Sequence, residues 1–333
     1  MCARKISLTG IKPTGDLHIG NYFGAIKPAL ALAQEYNARY FIADYHGLNS
    51  MKDPKELSSA IRQVAAGWLA SGLDPEKVIF YRQSSVPEVF ELTVMLTAFT
   101  SKGLMNRAHA YKAAVQDNNE KSEDPDAGIN MGLFTYPILM AADIILFDSD
   151  VVPVGKDQVQ HIEMAQDIAQ AVNFNYRQEV LKIPKAVIQE NVSVVPGLDG
   201  RKMSKSYGNT IPLFGNEKAL RKTIMRIVTN SQEVAEPKDP ETSQIYLLYK
   251  LFASPDEQAA LAARYRGGGM GWGEAKEELF CAVNRELAPL RERYEAIMAE
   301  PQKLDQILAQ GAEKARPIAA STVKRFRKAA GID

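Results

Sequence analysis

From residue 5 to residue 99 the chain alternates short apolar runs closed by turn residues with longer runs of helical spacing, and few folds accept that order. Lys5 to Thr9 reads as a strand that stops at Gly10, and Gly10 to Gly15 is a turn rich in Gly, Pro and Thr. Asn21 to Glu35 then carries Tyr22, Ala25, Ile26, Ala29, Leu30, Leu32 and Ala33 at helical spacing. Arg39 to Asp44 is a second strand, running into Tyr45-His46-Gly47. Pro54 to Ser71 is a helix, with Asp53 as its N-cap and Pro54 at its first position. Lys77 to Arg82 is a third strand and Pro87 to Phe99 a further helix. Strand and helix in strict alternation imply a parallel sheet with right-handed crossovers, so the expected class is α/β with a Rossmann-like catalytic domain.

In such sheets ligands bind outside the carboxyl ends of the strands. That edge holds Asp44 and His46. It also holds His18-Ile19-Gly20-Asn21, at the junction of the first turn and the first helix. Free N–H groups and the macrodipole at a helix start favour phosphate, and His18 and Asn21 can reach a polyphosphate from there; His18 also suits a plain helix cap. Far downstream, Lys202-Met203-Ser204-Lys205-Ser206 lies between Gly197-Leu198-Asp199-Gly200-Arg201 and Tyr207-Gly208-Asn209, the composition of a loop. Two ammonium groups and two hydroxyls suit a polyphosphate as well. The two lysines alone would suit a solvated basic loop.

Between these motifs, Ser101 to Gly128 has a weak pattern, Met105 to Lys112 being followed by a polar run from Gln116 to Asp126. Ile129 to Phe147 is an apolar helix in which Tyr136, Met140 and Asp143 share a face. A carboxylate on that face is costly without a partner, so Asp143 is either a ligand contact or satisfied internally. Val151 to Val154 is another strand, leading into Gly155-Lys156-Asp157-Gln158 and a helix from Asp157 to Ala171. Asp157 can accept from ribose hydroxyls and Gln158 can bind an amino-acid head group, while His161, one turn further on, reads as structural. Val192 to Val195 is the last strand-like piece.

After Ile211 the texture becomes helical: Glu217 to Val228, Gln244 to Phe252, Asp256 to Tyr265, Trp272 to Ala299, Pro301 to Ala309 and Ala312 to Ala330. Two units are expected, residues 1–210 with a helical insertion at about 101–150, and residues 211–333. Lys314, Arg316, Lys324, Arg325, Arg327 and Lys328 suit either an RNA backbone or a solvated helix face. With 40 Lys plus Arg against 40 Asp plus Glu, no global basic field attracts nucleic acid. Cys2 and Cys281 make neither a disulfide framework nor a metal site, which fits a reducing cytoplasm. No signal-peptide core and no long apolar span stand out, so no membrane partner is expected.

His18-Ile19-Gly20-Asn21 and Lys202 to Ser206 together resemble the HIGH and KMSKS signatures of class I aminoacyl-tRNA synthetases, in the right order and widely separated. With Gly10-x-x-Pro13-Thr14-Gly15, the Tyr136–Met140–Asp143 face and Val152-Pro153-Val154-Gly155-x-Asp157-Gln158, nearly the whole chain resembles the bacterial tryptophanyl-tRNA synthetases. The resemblance implies adenylate formation from L-tryptophan and ATP, Mg²⁺ bound through the ATP phosphates with no metal site of the protein's own, transfer to tRNA(Trp), and a homodimer whose helical domain binds the anticodon. It implies catalytic roles for His18, Asn21, Lys112, Lys202 and Lys205. ATP contacts would be Lys12, Pro13, Thr14, Gly20, Asn21, Gly155, Lys156, Asp157, Val194 and the loop Lys202, Met203, Ser204, Lys205 and Ser206. Tryptophan contacts would be Gly10, His46, Tyr136, Met140, Asp143, Val152, Val154 and Gln158. Lys12, Lys156 and Leu8 depart from the family's usual Gln, Glu and Phe. The alternatives are a tyrosyl-tRNA synthetase, which typically carries Gln in place of Met140, another nucleotidyltransferase with HIGH-like motifs, and a non-catalytic RNA-binding paralogue.

Overall fold

The computed structural model describes residues 4–155, 158–188 and 195–333. Five parallel strands, β1 (Ile6–Ile11), β2 (Asn37–Ile42), β3 (Ile79–Arg82), β4 (Val151–Val154) and β5 (Lys185–Ile188), form one sheet in the order β3-β2-β1-β4-β5. β1 pairs with β2 from Ile6↔Asn37 to Ile11↔Ile42, and meets β4 at Ser7↔Val151. Strand order reverses at β1, so a crevice opens between the carboxyl ends of β1 and β4, where open α/β sheets take their ligands.

Alternate strand residues enter two cores, one on each face. Tyr40, Ile42 and Phe80 belong to one, Phe41, Ala43 and Tyr81 to the other. The crossovers are helical. α1 (Ile19–Asn21) passes through a π-turn (Tyr22–Ile26) into α2 (Lys27–Glu35), α3 (Asp44–Gly47) follows β2, and α4 (Pro54–Ala70) leads to β3. Asp53 caps α4 as expected, its Oδ1 accepting from the Lys55 and Glu56 N–H groups at 2.7 and 3.0 Å. α5 (Glu88–Thr97), α6 (Lys102–Met105), α7 (His109–Glu120) and α8 (Met131–Ile145) precede β4, and α9 (Val159–Tyr176) follows it. The weakly patterned stretch from Ser101 to Gly128 thus holds two helices, and its polar run is helical as far as Glu120; Asn118 Nδ2 ties the end of that run, donating to the carbonyls of Pro125 and Ala127 at 3.0 and 2.8 Å. Among the described residues the last strand is Lys185–Ile188, a segment not marked in the sequence reading. Val195 is not in a strand, and Val192 to Val194 lie outside the described residues.

α10 (Glu217–Met225), α11 (Gln244–Tyr249), α12 (Pro255–Gly267), α13 (Trp272–Ala299) and α14 (Pro301–Ala330) complete the chain. α14 is continuous where the sequence suggested a break before Ala312. A Cβ on Gly311 would sit 1.7 Å from the Phe80 carbonyl oxygen, so this glycine allows close passage of the β3 edge and does not mark a turn. Before it, Leu304 and Leu308 join one core; after it, Ala315, Ala319 and Phe326 join the other. The three arginines of the α14 basic run take part in this docking. Arg316 pairs with Glu88 at 3.0 Å, Arg325 with Asp148 at 2.6 Å and Arg327 with Glu91 at 3.1 Å.

Candidate active site

His18 is extended (φ −125°) and precedes α1; Asn21 Oδ1 accepts from the His18 N–H at 3.1 Å. The segment is clamped by a short antiparallel pairing, Ile19 N–H to the Ile211 carbonyl at 3.0 Å and Leu213 N–H to the Leu17 carbonyl at 2.9 Å. That pairing brings the two distant motifs together. A Cβ on Gly20 would crowd the His18 ring, 2.9 Å from its Nδ1, and would touch Met203 Cβ at 3.4 Å, so the HIGN turn lies against the Lys202–Ser206 loop and glycine spares the His18 ring. The loop is a tied hairpin. Met203 N–H donates to the Val195 carbonyl at 2.9 Å, and buried Asn209 accepts from the Ser204 N–H at 2.8 Å and donates to Asp199 Oδ1 at 2.7 Å. Met203 is buried; Lys202, Lys205 and Ser206 are exposed. Lys205 Nζ crosses to the Thr14 carbonyl at 2.6 Å. Partial burial lowers the Lys205 pKa, with Asp16 opposing. Burial, and then Lys205, depress His18 to about 4, so its imidazole is neutral near pH 7.

The switch-point crevice is a cavity of about 540 Å³. All eight expected amino-acid contacts line it: Gly10 from β1, His46 from α3, Tyr136, Met140 and Asp143 from α8, Val152 and Val154 from β4, and Gln158 before α9. Leu8 and Phe41 add apolar wall, and Lys12 and Gly155 stand at the same cavity. Thr14, His18 and Lys205 line a neighbouring hollow of about 630 Å³. Pro13 is buried against Gly47. Lys112 is exposed on α7 and lines neither space. Lys156, Asp157 and Val194 lie outside the described residues.

The polar groups inside the apolar cavity are partnered across elements. Asp143, only 3% exposed, accepts from Gln83 Nε2 at 2.8 and 2.9 Å and from His46 Nε2 at 2.9 Å. A carboxylate only accepts, so His46 carries its proton on Nε2. Burial raises the Asp143 pKa; the His46 and Gln83 hydrogen bonds oppose that rise. Gln83 is itself fixed, its Oε1 accepting from the Tyr45 N–H at 3.1 Å. Tyr136 Oη lies 2.7 Å from His161 Nε2, whose Nδ1 lies 2.9 Å from Gln158 Oε1. Sequence reading missed Gln83, although it stands just past the carboxyl end of β3, and assigned His161 no part in the site. Asp44, at the same edge, instead ties strand ends together by accepting from the Ser84 N–H at 3.0 Å.

An apolar slot with one buried acceptor group, beside the HIGN turn and the lysine loop, suits an amino acid with a flat ring and one N–H, next to a nucleotide. The chain is similar to the family described as tRNA synthetases class I (W and Y) over residues 3–288. The tryptophan–tRNA ligase of Pseudomonas aeruginosa is 52% identical over 329 residues, 98% of this chain and 73% of that protein. That of Neisseria meningitidis is 50% identical over 333 residues, 99% of this chain and 98% of its own. The crystal structure of tryptophanyl-tRNA synthetase from Campylobacter jejuni, complexed with ADP and tryptophan, has a TM-score of 0.91 at 45% identity, covering 98% of this chain and 99% of that one.

Proposed function

The chain belongs to the class I tRNA synthetases for tryptophan and tyrosine, and we propose that its switch-point cavity takes the tryptophan side chain while its two motif loops take the ATP phosphates. The activity is that of an ATP-dependent tryptophan–tRNA ligase. A tryptophan carboxylate oxygen attacks the α-phosphorus, the bond to the β-phosphate breaks, and pyrophosphate leaves. A ribose hydroxyl at the tRNA 3′ end then attacks the acyl carbon, and AMP leaves. No enzyme nucleophile enters either step, so rate comes from positioning and from charge placed where charge develops.

In this reading His18, Asn21, Lys202 and Lys205 cradle the phosphates, with Lys12, Thr14, Gly20 and Gly155 along the nucleotide. Lys112 would have to approach from α7 to take part. The observation that carries the amino-acid assignment is Asp143, a buried carboxylate with fixed partners in an apolar wall. Indole offers one donor and no acceptor, which matches it. Mg²⁺ would come in on the triphosphate. The rim is cationic at Lys12 and Lys205, with Asp16 the carboxylate acting on Lys205, so these residues favour phosphate over a free cation. We also propose residues 211–333 as the anticodon-binding unit, a homodimer as the working form, and the cytoplasm as the place of action. Among the described residues, no helix is long and apolar enough to cross a membrane.

ATP–pyrophosphate exchange run with each of the twenty amino acids tests the assignment. Tryptophan alone should support fast exchange; equal exchange with tyrosine would remove it.

A further inference from the structure

Tyr136, His161 and Gln158 form a chain of hydrogen bonds whose direction follows from a neutral His161. Gln158 Oε1 only accepts, so the 2.9 Å contact puts the proton of His161 on Nδ1. With the imidazole neutral, its Nε2 is then an acceptor, and the 2.7 Å contact is a bond donated by the Tyr136 hydroxyl. Burial raises the Tyr136 pKa, which keeps that hydroxyl protonated and able to donate. With its hydrogen committed to His161, the Tyr136 oxygen can offer only lone pairs to the cavity it lines. Tyr136 and Gln158 stand in the cavity wall; His161 is buried behind them and, among the described residues that line the cavity, is not one.

We infer that His161 is a positioning residue: through its Nδ1–H tautomer it turns Tyr136 into an obligate acceptor for the α-ammonium of the amino-acid substrate. The opposite tautomer would turn the Tyr136 hydrogen toward the cavity and set a donor against a cation. The ring is thus a specificity element for the charged end of the substrate, whereas Asp143 and its partners answer to the indole. The inference rests on the reading that this cavity holds L-tryptophan.

The test measures binding by calorimetry for two ligands, L-tryptophan and indole-3-propionate, which keeps the ring and carboxylate and lacks the ammonium. Wild-type protein that binds neither would defeat the underlying reading and leave the hydrogen-bond chain a separate matter. Given wild-type binding, His161→Leu should weaken L-tryptophan by about tenfold to a hundredfold, the scale for a hydrogen bond to a charged group, and change indole-3-propionate less than about threefold. His161→Gln places an amide oxygen as far from Cβ as Nε2 and should restore most of the loss. His161→Asn reaches only the Nδ1 position and should not. In pyrophosphate exchange the KM for tryptophan should rise with kcat and the KM for ATP nearly unchanged. Equal losses for both ligands, or a His161→Asn variant as good as His161→Gln, would overturn the inference. Retained binding of indole-3-propionate also reports that each variant is folded.

Discussion

Removing the Asp143 carboxylate should disable recognition of tryptophan far more than that of phenylalanine. The structure sets the scale. Asp143 is an acceptor held by Gln83 at 2.8 and 2.9 Å and by His46 at 2.9 Å. A hydrogen bond from indole to an ionised carboxylate is worth about 1.5–3 kcal/mol. Sites built around such a bond reject analogues lacking it by roughly 10⁴ to 10⁵. Asp143→Ala should therefore lower kcat/KM for tryptophan by at least about a hundredfold. Phenylalanine has no N–H to lose and should suffer much less. The same variant strands the buried Gln83 amide, which costs about 1–3 kcal/mol of stability in urea unfolding. His46, with a side chain 13% exposed, can turn to water. Asp143→Asn keeps one acceptor oxygen but sets an NH₂ against the donors of Gln83 or His46, so it should fall between wild type and Ala. Pyrophosphate exchange with tryptophan, tyrosine and phenylalanine for all three proteins decides it. A uniform loss across the three amino acids would mean that Asp143 holds up the wall and does not read the indole.

Lys205→Ala should lower kcat for adenylate formation by about tenfold to a thousandfold with tryptophan affinity unmoved, as expected for a charge-stabilising donor; stopped-flow adenylate formation measures it, and collapse of binding with kcat intact would contradict it. Lys12→Gln should weaken ATP use, and added Mg²⁺ should partly restore it; indifference at every Mg²⁺ concentration would remove the role given to Lys12. His18 supplies a pH effect: its folded value of about 4 lies below the ordinary 6.5, so the unfolded chain takes up the proton first as pH falls. Stability from this group is complete above about pH 6.5 and is lost toward pH 4, by roughly 3 kcal/mol at most, and His18→Asn should flatten that part of a pH series of urea midpoints. Gly311→Ala forces a Cβ onto the Phe80 carbonyl and should cost about 1–3 kcal/mol in the same unfolding assay; an unchanged midpoint would mean that α14 is not held against β3.

Local pattern revealed the parallel sheet and the residues at its carboxyl edge because both are written in short segments. Asp53 announced α4 by the two N–H groups it caps, and Val151–Val154 shows as a run of apolar residues. What sequence could not show is anything settled by distant partners. Gly311 looks like a helix break until Phe80 is placed against it, and the arginines of α14 look like a free basic face until Glu88, Glu91 and Asp148 meet them. The helical segment at His109–Glu120 was obscured by polar composition, since a helix lying on the surface buries little and leaves little periodicity.

Gln83 and His161 were overlooked because their partners are distant in sequence, and in the proposed reading their position bears on how the cavity tells substrates apart. Each holds a wall residue from behind: Gln83 holds Asp143 from the end of β3, and His161 holds Tyr136 from α9. In that reading selectivity rests on elements that meet at the reversal of strand order. A tyrosine side chain could donate its hydroxyl to Asp143, but the oxygen's lone pairs would then need a donor. Met140 on the same face of α8 offers a thioether, which donates nothing, and Leu8, Phe41, Val152 and Val154 are apolar. An oxygen left unpaired there costs about 1–3 kcal/mol, on top of the contacts a smaller ring forgoes. Indole has no such oxygen, so in the proposed reading the Asp143 carboxylate favours tryptophan while the apolar wall penalises tyrosine.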